Sequence, residues 1–125
     1  MRDSRPNVLV VDDEPLMLEL IRRILARSAV TVTAVETGAA ACATLAHPPH
    51  PDLVMADLSI PVIDGLAVAR VCGAICPPVP VILLTGHTVT GELPPNVCTV
   101  LRKPFRPAEL LDKAAEVLGT AIIRA

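Results

Sequence analysis

The 125-residue sequence contains no tryptophan and no tyrosine, and Phe105 is its one phenylalanine. A single aromatic side chain cannot form a stacking platform for single-stranded nucleic acid. Excess positive charge is missing too. Eleven Lys and Arg against thirteen Asp and Glu leave a net charge of −2, so there is no basic footprint for duplex DNA. Long apolar runs are absent. The stretches at 8–11 and 79–84 fall far short of the ~20 residues that cross a bilayer, and Pro80 interrupts the second. The opening residues, Met1-Arg2-Asp3-Ser4-Arg5-Pro6, lack the apolar centre of a secretory leader. Cysteines number four and form no CxxC pair. Cys42, Cys72, Cys76 and Cys98 each lie in an apolar stretch and read as buried small hydrophobes of a reducing compartment. Cys72 and Cys76 can share a helix face, but no further ligand lies nearby in sequence to complete a metal site. Together these features indicate a cytoplasmic location, no membrane and no direct contact with nucleic acid.

What is present is a core-forming composition, 52% hydrophobic, in a length that suits one domain. Five short runs rich in β-branched residues recur, at 8–11, 31–35, 53–56, 79–84 and 97–101. Helical patterns separate most of them. Residues 15–27 place Met17, Leu20, Ile21, Ile24 and Leu25 on one stripe, with Asp13 or Glu14 at the cap and Pro15 in the first turn. Thr37 caps an alanine-rich helix over 38–46, and the prolines from Pro48 onward end it. A third helix covers 65–76, stopped by Pro77 and Pro78. A last one covers 107–118 and ends at Gly119. Strands alternating with helices in this way make βαβ units and a parallel sheet, with helices on both faces. One interval breaks the alternation. Gly91, Pro94 and Pro95 lie within 88–96, and an interior proline costs a helix about 3 kcal/mol, so at most one helical turn fits there.

In an open α/β sheet, ligands bind beyond the carboxyl ends of the strands. Strand one ends in Asp12-Asp13-Glu14, strand three in Asp57, strand four in Thr85-Gly86 and strand five in Lys103-Pro104. Wet strand ends explain any one of these residues, but poorly explain why four of five ends offer groups able to share a site. Clustered carboxylates repel unless some are protonated or a cation sits among them. Carboxylates with backbone oxygens suit Mg²⁺, the lysine suits phosphate, and the threonine hydroxyl can donate to a phosphoryl oxygen. The set describes phosphoryl transfer to or from an aspartate.

These residues also carry a family resemblance. The run Val8-Leu9-Val10-Val11-Asp12-Asp13-Glu14-Pro15, the run from Asp57 through Ser59 and Pro61 to Asp64-Gly65, the strand Val81-Ile82-Leu83-Leu84-Thr85-Gly86, and Lys103-Pro104-Phe105 resemble, in order, the motifs of the receiver domain of two-component response regulators. The resemblance covers nearly the whole chain and implies a single receiver domain over 1–125 with its core at about 7–118. It implies a flavodoxin-like, doubly wound five-stranded parallel sheet of order 2-1-3-4-5. The fourth helix is expected to be shortened or absent.

By the same resemblance, Asp57 is the phosphoacceptor, supplied by a histidine kinase or a histidine phosphotransfer protein. Asp13 and Asp57 ligate Mg²⁺ directly, Asp12 mostly through water, and Ser59 through its carbonyl. Thr85 and Lys103 bind the phosphoryl oxygens, and the Lys103–Pro104 bond is cis. Gly86 leaves room beside the acyl phosphate, and Asp64 is a helix cap. His87 and Ser59 stand where family members set the hydrolysis rate. Such a domain is a switch that acts on a downstream protein rather than an enzyme with its own substrate.

Two features depart from the family pattern. Val100 stands where many members carry Tyr or Phe, and Lys103 follows Thr85 by only 18 residues. Motifs around Thr85 and Lys103 lean toward the receivers that end hybrid histidine kinases, so an excised C-terminal receiver is one alternative. A Mg²⁺-dependent phosphatase with an aspartyl nucleophile is another, although no Asp-x-Asp pattern follows strand one. A flavin carrier shares the architecture but needs a hydroxyl-rich loop where this chain has three acids. Finally, the helix at 65–76 carries one charge, Arg70, and its outer face is either a surface that meets another domain or protomer or an ordinary one diluted by alanine and glycine.

Overall fold

The structure is a computed structural model that describes residues 5–119. Most of the hydrophilic N-terminal stretch, and the last residues of the 1–125 span, lie outside the described residues. Nine elements follow one another: β1 (Asn7–Val11), α1 (Pro15–Leu25), β2 (Thr31–Val35), α2 (Gly38–Leu45), β3 (Leu53–Asp57), α3 (Gly65–Ile75), β4 (Val81–Thr85), β5 (Val97–Arg102) and α4 (Pro107–Leu118). The strands form one parallel sheet in the order β2-β1-β3-β4-β5, as the motif pattern implied.

Strands β1, β3 and β4 are apolar at nearly every position because both of their faces are covered, the signature of interior parallel strands. Alternate side chains enter two cores. Val8, Val10, Met55, Ile82, Leu84 and Leu101 pack on one side with Ile21 and Leu25 of α1 and Leu110 of α4. Leu9, Val11, Val54, Ala56, Val81 and Leu83 pack on the other with Leu45 of α2 and Val68 and Cys72 of α3.

Several boundaries and faces differ from expectation. Strand β4 starts at Val81 rather than residue 79, and α1 stops at Leu25 rather than residue 27. Leu20, assigned to the buried stripe of α1, is 44% exposed, and Leu18 is buried in its place. The stripe that meets the sheet runs through Leu18, Ile21 and Leu25, which turns Leu20 and Leu16 toward solvent. Cys98, expected inside, is exposed because the β4–β5 register shifts between Val81 and Ile82 and leaves Cys98 out of the pairing. The helix caps follow the sequence more closely. Thr37 accepts from Ala40 N–H at 3.0 Å, Asp64 accepts from Ala67 N–H at 2.9 Å, and Gly119 closes α4 in the left-handed region at φ 70°. Glu14 is the N-cap residue of α1 but makes no side-chain cap bond. Between β4 and β5, residues 86–96 contain no helix.

Candidate phosphoacceptor site

The carboxyl ends of β1, β3, β4 and β5 converge because the strands run parallel and lie side by side. Asp57 is the last residue of β3, and Leu58 N–H donates to Leu84 O at 2.8 Å, so the chain stays paired right up to Asp57. Its Oδ1 accepts Ser59 N–H at 3.0 Å, which leaves Oδ2 facing the site. Gly65 holds the returning chain close. A Cβ added there would lie 2.6 Å from Asp57 O, so only glycine fits this approach. Within the same loop Val62 is fully exposed and has φ 66°, an uncommon conformation for a β-branched residue.

Lys103 lies just beyond β5 and ties the site together. Its Nζ donates to Asp12 Oδ2 at 2.9 Å and to Asp57 Oδ2 at 3.1 Å, and Glu14 Oε1 lies 4.0 Å away. Its backbone N–H donates to Thr85 O at 2.7 Å, and the Lys103–Pro104 peptide is cis. Asp12 and Asp57 are buried, whereas Asp13 is exposed at the mouth. Asp12 also accepts Glu14 N–H through Oδ1 at 2.9 Å. Asp12, Asp13 and Asp57 each offer one carboxylate oxygen within 4.8 Å of the others. One ammonium among three carboxylates leaves two negative charges over. That excess, together with an all-oxygen donor set, fits a hard divalent cation such as Mg²⁺.

Burial raises the pKa of Asp12, and the hydrogen bonds from Glu14 N–H and Lys103 only partly offset it. Burial alone lowers the pKa of Lys103. The hydrogen bonds to Asp12 and Asp57 outweigh it, and the ammonium is held above its ordinary 10.5. Each partner thus replaces what water no longer supplies, in full measure for Lys103 and only in part for Asp12.

Every residue named from the strand ends is at this end of the sheet, but Thr85 faces away from the ion cluster. It is fully buried, and its hydroxyl accepts His87 N–H at 3.0 Å and donates to His87 O at 3.2 Å. Sequence reading noticed the side chain of His87 and missed this use of its backbone. The available signal was weak: a threonine entering an irregular loop favours such a turn. The contact between Thr88 and Arg102, at 3.3 Å, had no sequence signal at all. His47 and His50 are exposed in the α2–β3 loop, as expected.

Comparison with known proteins gives the same reading of the fold. The chain is 33% identical over 117 residues to the DNA-binding response regulator MtrA of Mycolicibacterium smegmatis, covering 90% of this chain and 50% of the relative. It thus spans about half the length of the curated relatives it matches. A response regulator receiver protein from Sinorhizobium medicae superimposes with a TM-score of 0.84 at 29% identity, covering 94% of this chain and 97% of that one. The receiver domain of the sensor histidine kinase PA1611 from Pseudomonas aeruginosa, solved with magnesium in its active-site cleft, gives a TM-score of 0.82 at 26% identity, covering 94% and 100%. The family model described as the response regulator receiver domain matches residues 8–115, and this chain belongs to that family.

Proposed function

We propose that Asp57 accepts a phosphoryl group from the phosphohistidine of a histidine kinase or histidine phosphotransfer protein, and that the phosphorylated domain signals to a downstream protein. The observation that carries the proposal is Lys103 Nζ within hydrogen-bonding distance of both Asp12 and Asp57. Asp13 completes a set of three carboxylates that can reach one ion. Asp13 and Asp57 would hold Mg²⁺ directly, Asp12 largely through water, and the Ser59 carbonyl would supply a backbone oxygen. When bound there, Mg²⁺ supplies positive charge between the carboxylates and the phosphoryl oxygens.

The chain's own groups then have distinct tasks. Ser59 N–H pins Oδ1 of Asp57, so Oδ2 is the free nucleophile. Oδ2 forms the new P–O bond as the N–P bond of phosphohistidine breaks, and the electron pair leaves with the imidazole. Lys103 releases Asp57 Oδ2 and pairs with a phosphoryl oxygen. It keeps Asp12 as its second partner, so the ammonium never lies buried without a counter-charge. Thr85 must leave His87 for its hydroxyl to donate to another phosphoryl oxygen. The domain catalyses its own phosphorylation and dephosphorylation and turns over no other substrate. We read 7–118 as the receiver core.

Among the described residues no helix is long and apolar enough to cross a membrane. With a net charge of −2 and one aromatic residue, the domain is proposed to contact a kinase and a protein target, not nucleic acid. The relatives suggest two settings. One is a DNA-binding response regulator, as the name of MtrA says of that protein, and the other a sensor histidine kinase that carries a receiver domain, as PA1611 does.

The test is intact-mass detection of a phosphoryl adduct after incubation with Mg²⁺ and acetyl phosphate. Wild type gains one adduct, Asp57→Ala gains none, and Asp13→Asn needs much more Mg²⁺. Mg²⁺ binding also weakens as pH falls through the carboxylate range, because protons compete for the same oxygens. A stable adduct on Asp57→Ala overturns the assignment. Many turnovers of a phosphomonoester would point to a phosphatase instead.

A further inference from the structure

The geometry points to Arg102 as a positioning residue for Thr85. Through Thr88 it clasps the start of the β4–β5 connection in the resting arrangement and releases it when Thr85 turns toward a phosphorylated Asp57. The inference rests on Asp57 being the acceptor.

Three hydrogen bonds are described for residues 86–93. Two join Thr85 Oγ1 to the backbone of His87, and the third runs from Arg102 Nη1 to Thr88 Oγ1 at 3.3 Å. Thr85 and Arg102 are direct neighbours in the β4–β5 register. Both point to the same face of the sheet. Thr85 is in step with Val81 and Leu83, and Arg102 is in step with Val100, which packs against the same core. The chain therefore leaves Thr85, turns at His87 and is caught at Thr88 by a side chain from the strand beside Thr85. With no helix in 86–96, nothing else of regular structure holds this turn.

The consequence is mechanical. Thr85 is fully buried, so its hydroxyl cannot leave His87 without a new partner, and once it leaves, the two bonds that hold the turn at His87 are lost. A phosphoryl oxygen offers that partner. Thr88 then moves relative to Arg102, and the exposed guanidinium of Arg102 is freed at the sheet edge. Val100 has no ring that could report the same movement. Arg102 acts through Thr88 and His87 and touches neither the acceptor nor the phosphoryl group.

Two observables test this: binding of beryllofluoride with Mg²⁺, and hydrogen exchange at the His87 amide. Thr88→Val and Arg102→Ala each remove the clasp, so the His87 amide exchanges faster in the unbound protein. Each variant should bind beryllofluoride roughly threefold more tightly, the factor expected from one modest hydrogen bond, because less must be broken to move Thr85. The double variant should bind no more tightly than either single one. The sign is diagnostic. Were Arg102 to act by its charge alone, Arg102→Ala would bind more weakly, whereas Thr88→Val changes no charge. Unchanged or weaker binding in Thr88→Val, or additive effects in the double variant, overturns the clasp. If wild type forms no beryllofluoride adduct on Asp57, the acceptor assignment itself fails, and this inference with it.

Discussion

The two halves of the sheet are held by different means. On the β1–β3–β4 side, Asp12, Asp57 and Thr85 extend from strands that are almost completely buried, beneath α2 and α3 on one face and α1 and α4 on the other. On the β5 side, the edge strand is mostly half-exposed, and the connection leading to it has no helix. The carboxylates of the site are anchored in the first half, and the ammonium that meets Asp12 and Asp57 at 2.9–3.1 Å reaches them from just beyond β5. The segment that must move with Thr85 lies in the second, where few buried contacts oppose motion. The difference teaches that a shortened connection need not disturb carboxylates that hang from interior strands, provided that β5 still delivers Lys103 to them.

Matched truncations break the comparison most directly. Leu83→Ala, in the buried core of β4, is expected to cost about 3 kcal/mol, whereas Val100→Ala on half-exposed β5 costs about 1 kcal/mol or less. Denaturant midpoints of the two variants measure the contrast, and equal losses would mean that the β5 side is as tightly packed as the centre.

A second expectation concerns the one side chain that bridges both halves. Lys103→Met leaves Asp12 buried without its cation and should cost about 2–3 kcal/mol near neutral pH, somewhat less than for a fully enclosed pair. Its pH dependence has a definite sign. Burial already holds the Asp12 carboxyl above its ordinary 3.8, and losing Lys103 raises it further. Protonation removes the orphan charge, so the deficit of the variant is greatest above that raised range and shrinks as pH falls through it. Wild type behaves differently at the alkaline end. The Lys103 pKa is raised on folding, so its stabilisation is complete below 10.5 and fades as pH climbs through the raised value. Lys103→Met lacks that alkaline loss. Chemical denaturation from pH 4 upward reads both effects.

Two glycines sharpen the contrast at smaller cost. Gly65→Ala puts a Cβ against the backbone of Asp57 at 2.6 Å, so it should destabilise by about 1–3 kcal/mol and slow phosphorylation by acetyl phosphate. Gly86→Ala meets nothing within 4 Å and should change stability by less than about 0.5 kcal/mol. The smallest energies belong to the connection itself. Amides of 89–97, beyond the clasp, should exchange far faster than those of β1, β3 and β4 without phosphate, and become protected on adding Mg²⁺ and beryllofluoride. Strong protection in both states would show that the thin half is as rigid as the thick one.

Much of this was legible before any coordinates. The β-branched runs and amphipathic stretches determine a parallel α/β sheet, because strands apolar at every position need cover on both faces. The acids and the lysine at the strand ends were legible as neighbours, because every parallel strand delivers its carboxyl end to the same edge. Gly91, Pro94 and Pro95 likewise limited the connection to one helical turn at most, and it contains none.

Tertiary structure decided matters that depend on register and rotation. Leu18 rather than Leu20 is buried because docking set the roll of α1, and a periodicity of 3.6 leaves that angle open by a residue. Cys98 is exposed because a shift in the β4–β5 pairing left it out of the ladder. The hydroxyl of Thr85 rests on His87, and Arg102 reaches Thr88, because β4 and β5 pair Thr85 with Arg102. Residue types specify which groups a strand carries to its end, but only the packed sheet specifies which neighbour each group meets there.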